Sequence, residues 1–211
     1  MFLAKVGLRF RIKPLIARYV SGELYAEHLR AQGYAIGESC SIPPDATLPI
    51  PALIRIGSNV RFSSQVSLLT YEGSIAMLNR AYGKRLDRVG PIVIRDNVFI
   101  GRGAIIKYGV TLGPNVVVGA HSVVTRSFRN AVVAGNPARE LMSCDDFVAK
   151  VERQSREYPW YGLIQGRGRT FDGAVEPALN AARSRYFFPD EPTTDESIEI
   201  PAALRPELAF G

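Results

Sequence analysis

The chain of 211 residues has only two cysteines and two histidines, and no run of eighteen apolar residues. Without such a run, no transmembrane helix is expected. Cys40 and Cys144 have neither metal-site nor redox spacing, so a reduced, cytoplasmic protein is the simple expectation. Two histidines cannot build a three-histidine zinc centre, and no cysteine cluster stands in for the third, so no metal is expected. A secretory leader is not expected either, because Lys5, Arg9, Arg11, Lys13 and Arg18 break the start before an apolar core forms. Acid is absent from those first twenty residues, whose five positive charges alternate with Phe2, Leu3, Val6, Leu8, Phe10, Leu15 and Ile16. Peripheral contact of residues 1–20 with an anionic membrane is one reading. The favoured one is a helix capping one end of the fold, its basic face solvated. The net charge of +6 has no aromatic–basic cluster or reader motif behind it, so nucleic acid is not an expected partner.

What the chain does have is a period of six. Ile94, Ile100, Ile106, Leu112, Val118 and Val124 recur at that spacing, and Val98, Ala104, Val110, Val116 and Ser122 form a second, smaller register. Glycine follows the aliphatic at Gly101, Gly113 and Gly119. Neither a helix nor a simple strand alternation has this period over such a length. Stacked flat coils do, each of about eighteen residues and three short strands. The larger aliphatics stack inside, and the small residues fill the gaps between them.

The period runs more raggedly upstream through Ile36, Ile42, Leu48 and Ile54, slips by two, and resumes at Ile56, Phe62 and Leu68. Pro43, Pro44, Pro49 and Pro51 suit corners, where no ladder N–H is required. From Tyr71 to Gly90 the pattern stops, which predicts a loop of about twenty residues inserted between coils, a length usually functional. Residues 22–33 read as a helix ended by Gly33, and 145–158 as an amphipathic helix with Phe147, Val148 and Val151 on one face. The expected organisation is a helical cap over 1–34, a solenoid over 35–142 and an extension over 143–211. In the extension, Trp160, Arg167, Arg169, Phe171 and Arg185 to Phe188 are too aromatic for a linker and read as a segment folded over a cleft or a neighbouring subunit. The acidic, proline-rich end reads as loosely ordered.

The repeat resembles the left-handed parallel β-helix of the hexapeptide-repeat acyltransferases. The segment from Gly119 to Arg126 (GAHSVVTR), followed by VVAGNPAR ending at Arg139, resembles the end of the helix in the galactoside, maltose and serine acetyltransferase group, and the resemblance covers about residues 25–142. It implies an all-β solenoid with left-handed crossovers, an exception to the usual rule, and acetyl-CoA as co-substrate. It also implies a carbohydrate acceptor and a homotrimer with sites between neighbouring helices. By the same resemblance the pantetheine arm lies along a corner marked by Arg102 and Ala120, although the family usually has a small residue at the first. Thr125, Arg126 and Arg139 meet the adenosine and phosphate end, where arginine is a natural bidentate partner.

One departure is consequential. Members of the family commonly read T-H-D-G-S before the inserted loop, their histidine acting as general base. This chain reads Thr70-Tyr71-Glu72-Gly73-Ser74. A tyrosine ordinarily titrates near about 10 and a histidine near about 6.5, so a neutral tyrosine is a poor base but a competent hydrogen-bond donor. The candidates for the catalytic role are therefore Tyr71, Glu72 and His121, the last replacing a family glycine eighteen residues after Gly103. His28 reads as an exposed side chain of the N-terminal helix. Three functions remain open: O-acetylation of a carbohydrate hydroxyl, N-acetylation of an amino sugar, and a degenerate binding or scaffolding subunit. An amine is nucleophilic without prior deprotonation and so tolerates loss of the histidine. A nucleotidyltransferase would need a further nucleotide-binding domain, for which there is no room.

Overall fold

The structure is a computed structural model that describes residues 21–168 and 172–189. The readings made for residues 1–20, for Arg169 and Phe171, and for the acidic C-terminal stretch lie outside these residues. Two compact units divide between Phe147 and Val148.

The first unit is a parallel β-solenoid. Helix α1 (Gly22–Ala31) starts where the Ser21 hydroxyl accepts from the Leu24 N–H, and Gly33 takes a positive φ just beyond its end. Ala26 and Leu29 of α1 join the apolar core. Strands then follow in sets of three. They are β1 (Ala35–Ile36), β2 (Ile54–Ile56), β3 (Val60–Phe62), β4 (Ser67–Leu69), β5 (Ile92–Ile94), β6 (Val98–Ile100), β7 (Ile105–Lys107), β8 (Thr111–Leu112), β9 (Val116–Val118) and β10 (Val123–Val124). Each pairs in parallel with its counterpart in the next coil, building a first sheet β1-β2-β5-β8 and a third sheet β4-β7-β10. The second sheet, β3-β6-β9, continues into β11 (Ala131–Gly135) and an antiparallel closing strand β12 (Ala138–Ser143).

The six-residue period is visible in burial. Ile94, Ile100, Ile106, Leu112, Val118 and Val124 are all buried, and so are Val98, Ala104, Val110, Val116 and Ser122. Burying an isoleucine side chain contributes roughly 1.5–3 kcal/mol, so this column is the main source of cohesion. Between the first and second sheets, Asn97 donates to the Asn115 amide oxygen (3.0 Å) and accepts from Asn59 (2.9 Å), an amide ladder up a column of left-handed residues.

The register locates every irregularity. Outward positions Ala35, Ser41 and Thr47 pair with Arg55, Arg61 and Ser67, and these with Val93, Phe99 and Ile105. Steps from the first sheet to the second, and from the second to the third, are six residues in each of these coils. Steps from the third sheet back to the first are eight residues from Thr47 to Arg55, twenty-six from Ser67 to Val93 and six from Ile105 to Thr111. The slip of two and the insertion therefore share one corner. The insertion is not a plain loop: it contains helix α2 (Ile75–Tyr82), closed by Gly83 in the left-handed conformation. No residue of α2 is buried, which is why no burial period marked it in the sequence.

Helix α3 (Cys144–Arg156) leads into the second unit, which also holds α4 (Tyr161–Gln165) and α5 (Glu176–Phe187). There Trp160 is buried, stacked on Tyr158 at 4.6 Å and met edge-on by Tyr186 at 5.3 Å. Glu176 pairs with Arg167 and, at 3.9 Å, with Arg183. Among the described residues no helix is long and apolar enough to cross a membrane.

Candidate active site at two corners of the solenoid

The predicted site residues fall on two corners that flank the third sheet. Its outward face, lined by Ser67, Leu69, Ile105, Lys107 and Val123, lies between them.

The corner between the second and third sheets holds Arg102, Ala120, His121 and Arg139. Coils stack tightly here. A side-chain carbon on Gly101 would lie 2.6 Å from the Ala120 nitrogen and 2.7 Å from the Val118 oxygen. His121 has a positive φ of 55° and its N–H donates to the Arg102 carbonyl at 2.7 Å. Its exposed imidazole lies across Gly103, where an added carbon would meet Nδ1 at 2.6 Å. The glycine thus makes room for the ring. Above it, β11 and β12 form a hairpin whose turn is the Gly135-Asn136-Pro137-Ala138 sequence. The Gly135 N–H donates to the buried Ser122 hydroxyl at 3.2 Å, tying the turn to the corner. Arg139 pairs with Ala134 across the hairpin, its side chain exposed.

The corner between the third and first sheets holds Tyr71, Glu72, Thr125 and Arg126. Tyr71 bridges to Val89 in antiparallel fashion, and Gly90 N–H to Thr70 oxygen and Glu72 N–H to Arg88 oxygen close the neck of the insertion. Tyr71 is half exposed. Glu72 accepts from the Ser74 hydroxyl (3.1 Å), the Ser74 N–H (3.4 Å) and the Tyr108 hydroxyl (3.4 Å). The Ser74 hydroxyl, the Ser74 N–H and then the Lys107 charge hold this carboxyl below its ordinary value. A carboxylate so stabilised accepts a proton less readily, which weakens Glu72 as a base and suits it to orienting a partner. The Arg126 guanidinium carbon sits 4.9 Å above the Phe128 ring, and Phe128 is buried. That contact aims an exposed charge that has no carboxylate partner among the described residues.

Within one chain, Tyr71 and Glu72 are not brought to His121. A strand of three residues, about 10 Å, and two coil spacings, about 10 Å, separate them. His28 is exposed on α1, its ring 2.9 Å from the Gln32 amide nitrogen. Sequence reasoning missed Tyr108, Lys107 and Arg88, which surround Glu72. The eighteen-residue stacking rule could have found the first two, because they lie one coil below Arg126 and Thr125. A shallow groove of about 580 Å³ on the outward side of the first sheet, lined by Arg95, Thr111, Pro114 and Phe128 among others, includes none of the candidates.

Residues 91–126 match the profile of the family described as bacterial transferase hexapeptide (six repeats). Protein CapG of Staphylococcus aureus is 35% identical over 144 residues, 66% of this chain and 83% of that protein. Galactoside O-acetyltransferase of Escherichia coli is 36% identical over 94 residues, 44% of this chain, and the match spans only 45% of that relative's length. Among solved structures, a hexapeptide-repeat acetyltransferase of Vibrio cholerae complexed with acetyl coenzyme A aligns with a TM-score of 0.44 at 28% identity, covering 64% of this chain and 84% of that one.

Proposed function

The chain belongs to the hexapeptide-repeat transferase family, and on that footing we propose that it is an acetyl-CoA-dependent O-acetyltransferase acting on a carbohydrate hydroxyl. The observation that carries this reading is the pair of arginines flanking one sheet face. Arg126 is aimed by Phe128 at one corner, and Arg139 is set on the hairpin that ends the coils at the other. An arginine at each corner offers a partner to the pyrophosphate and to the 3′-phosphate of coenzyme A, while the pantetheine arm follows the corner of Arg102 and Ala120. Arg102, Ala120 and Thr125 complete the donor side. The coils are left-handed in this reading. The assembly is a homotrimer, in which the corner of one chain bearing His121 faces a neighbour's corner bearing Tyr71 and Glu72. Such an arrangement unites catalytic candidates that a single chain holds apart.

Calorimetric titration with acetyl-CoA tests the donor site. Binding near the micromolar range is expected, and Arg139→Ala should weaken it about tenfold or more, the worth of a charge-assisted hydrogen bond. Absence of binding at millimolar acetyl-CoA would remove the transferase reading and leave a solenoid kept for its surface.

A second reading, N-acetylation of an amino sugar, rests on Tyr71 standing where the family histidine is usual. Tyr71→His separates the two. For a hydroxyl acceptor the restored base should raise turnover about 10²-fold or more. For an amine acceptor, turnover already present in the native chain should change little.

A further inference from the structure

The neck of the insertion carries an excess of positive charge that acetyl-CoA does not account for. Between Tyr71 and Gly90 the bases are Arg80, Lys84, Arg85 and Arg88, against the acids Glu72 and Asp87. Lys107 adds a fifth cation from β7. Among the described residues none of these five enters an ion pair. Two of them converge on one side chain. The Lys107 ammonium lies 5.0 Å and the Arg88 guanidinium carbon 5.6 Å from the centre of the Tyr108 ring. The only nearby anion in the described contacts is Glu72, and its oxygens are already engaged by Ser74 and Tyr108.

Glu72 feels the Lys107 charge, so one carboxylate answers two cations, and a π-face compensates only partly for the lack of a second anion. The cluster is set at the catalytic candidates: Lys107 pairs with Leu69, two residues before Tyr71, and the Arg88 carbonyl accepts from the Glu72 N–H. A bound anion would supply that second charge, and on the transferase reading the acceptor enters beside Tyr71 and Glu72.

We propose that the acceptor is an anionic sugar, one bearing a phosphate or carboxylate group that Lys107 and Arg88 hold beside the hydroxyl to be acylated. This rests on the transferase reading above and specifies its substrate class. The Tyr108 ring holds both cations in place.

The test measures sugar binding to CoA-saturated full-length protein by calorimetry, with probes matched in ring and differing in charge. The probes are glucose, glucuronate, glucose 1-phosphate and a nucleoside-diphosphate glucose. At low salt the charged probes should bind at least tenfold more tightly than glucose, and the preference should shrink as ionic strength rises. Their ranking distinguishes carboxylate, phosphate and diphosphate as the group read. The double variant Lys107→Met, Arg88→Met should abolish the preference, and Lys107→Arg should retain it. Both cations are at the surface, and an unchanged thermal transition with retained CoA binding checks that the variants fold. Equal binding of charged and neutral probes, or a preference surviving in the double variant, overturns the proposal. Failure of CoA itself to bind is a different result and removes the transferase reading instead.

Discussion

The two corners that flank the third sheet are built from the same repeat and behave oppositely. At the one between the second and third sheets, the chain advances by six residues in each of the three coils that follow β1, and backbone touches backbone between layers. At the other, the advance ranges from six to twenty-six residues, and an added carbon on Gly73, Gly83 or Gly109 would meet nothing within 4 Å. The open corner is stacked in part, since the Gly109 N–H donates to the Pro91 carbonyl at 2.8 Å, but its coils are not pressed together around every glycine as they are at Gly101. One corner is therefore committed to stacking, and the other is free to carry an excursion and the charges that come with it.

The largest expected effect breaks that contrast at its tightest point. Gly101→Ala forces a carbon to within 2.6 Å of a backbone nitrogen that cannot move without separating two coils. A loss of about 3 kcal/mol in denaturant unfolding is expected. Gly73→Ala, facing open space on the insertion, should fall within about 0.5 kcal/mol of the parent. Equal effects at the two sites would show that the corners are not mechanically distinct.

A finer comparison uses two glycines of the same backbone conformation. Gly103 has a φ of 66° and Gly109 a φ of 78°, so alanine at either costs about 1–2 kcal/mol in backbone strain. Only Gly103 lies under the His121 ring. Gly103→Ala should therefore also displace the His121 imidazole resonances in NMR spectra, which Gly109→Ala should leave in place. If both variants leave His121 unmoved, the ring does not rest on that corner in solution.

The difference between the corners also governs what the sequence reveals. The crowded corner repeats, so its period announced itself: Ile100, Ala104, Val118 and Ser122 were legible as inward positions, and all are buried. His121 was legible as the residue stacked over Gly103, because both sit at fixed places in an eighteen-residue coil. The helical stretches at 22–33 and 145–158 were legible from cap and amphipathic pattern, with ends a residue or two off. The open corner does not repeat. Helix α2 has no buried face to impose a period, and only Gly83 hinted at its end. The cluster of Arg88, Lys107 and Tyr108 gathers around Glu72 from sixteen to thirty-six residues away, through an excursion whose path no local rule fixes. In the second unit the aromatics were noticed, but that they pack on Trp160 follows from α5, which has no strong amphipathic stripe to announce it.

The smallest effect expected concerns how the open corner keeps its shape. Glu72 is held by Ser74 on its own excursion and by Tyr108 from the next coil, so its carboxylate joins the insertion to the solenoid. Because its folded-state value is depressed, the stabilisation it contributes is fully present above the ordinary carboxylate range. That contribution is lost as pH falls through the depressed value. Glu72→Gln should therefore be slightly less stable than the parent near neutrality, and the gap should close under acid. The group is at the surface, so solvent screens the effect and the gap should also narrow with added salt. Paired unfolding curves at neutral and acidic pH would reveal it, with hydrogen exchange at residues 71–90 as the local readout. A gap that persists unchanged below the carboxylate range would mean that Glu72 acts through its shape rather than its charge. The open corner would then be held closed by the backbone pairing of Thr70 and Glu72 with Arg88 and Gly90.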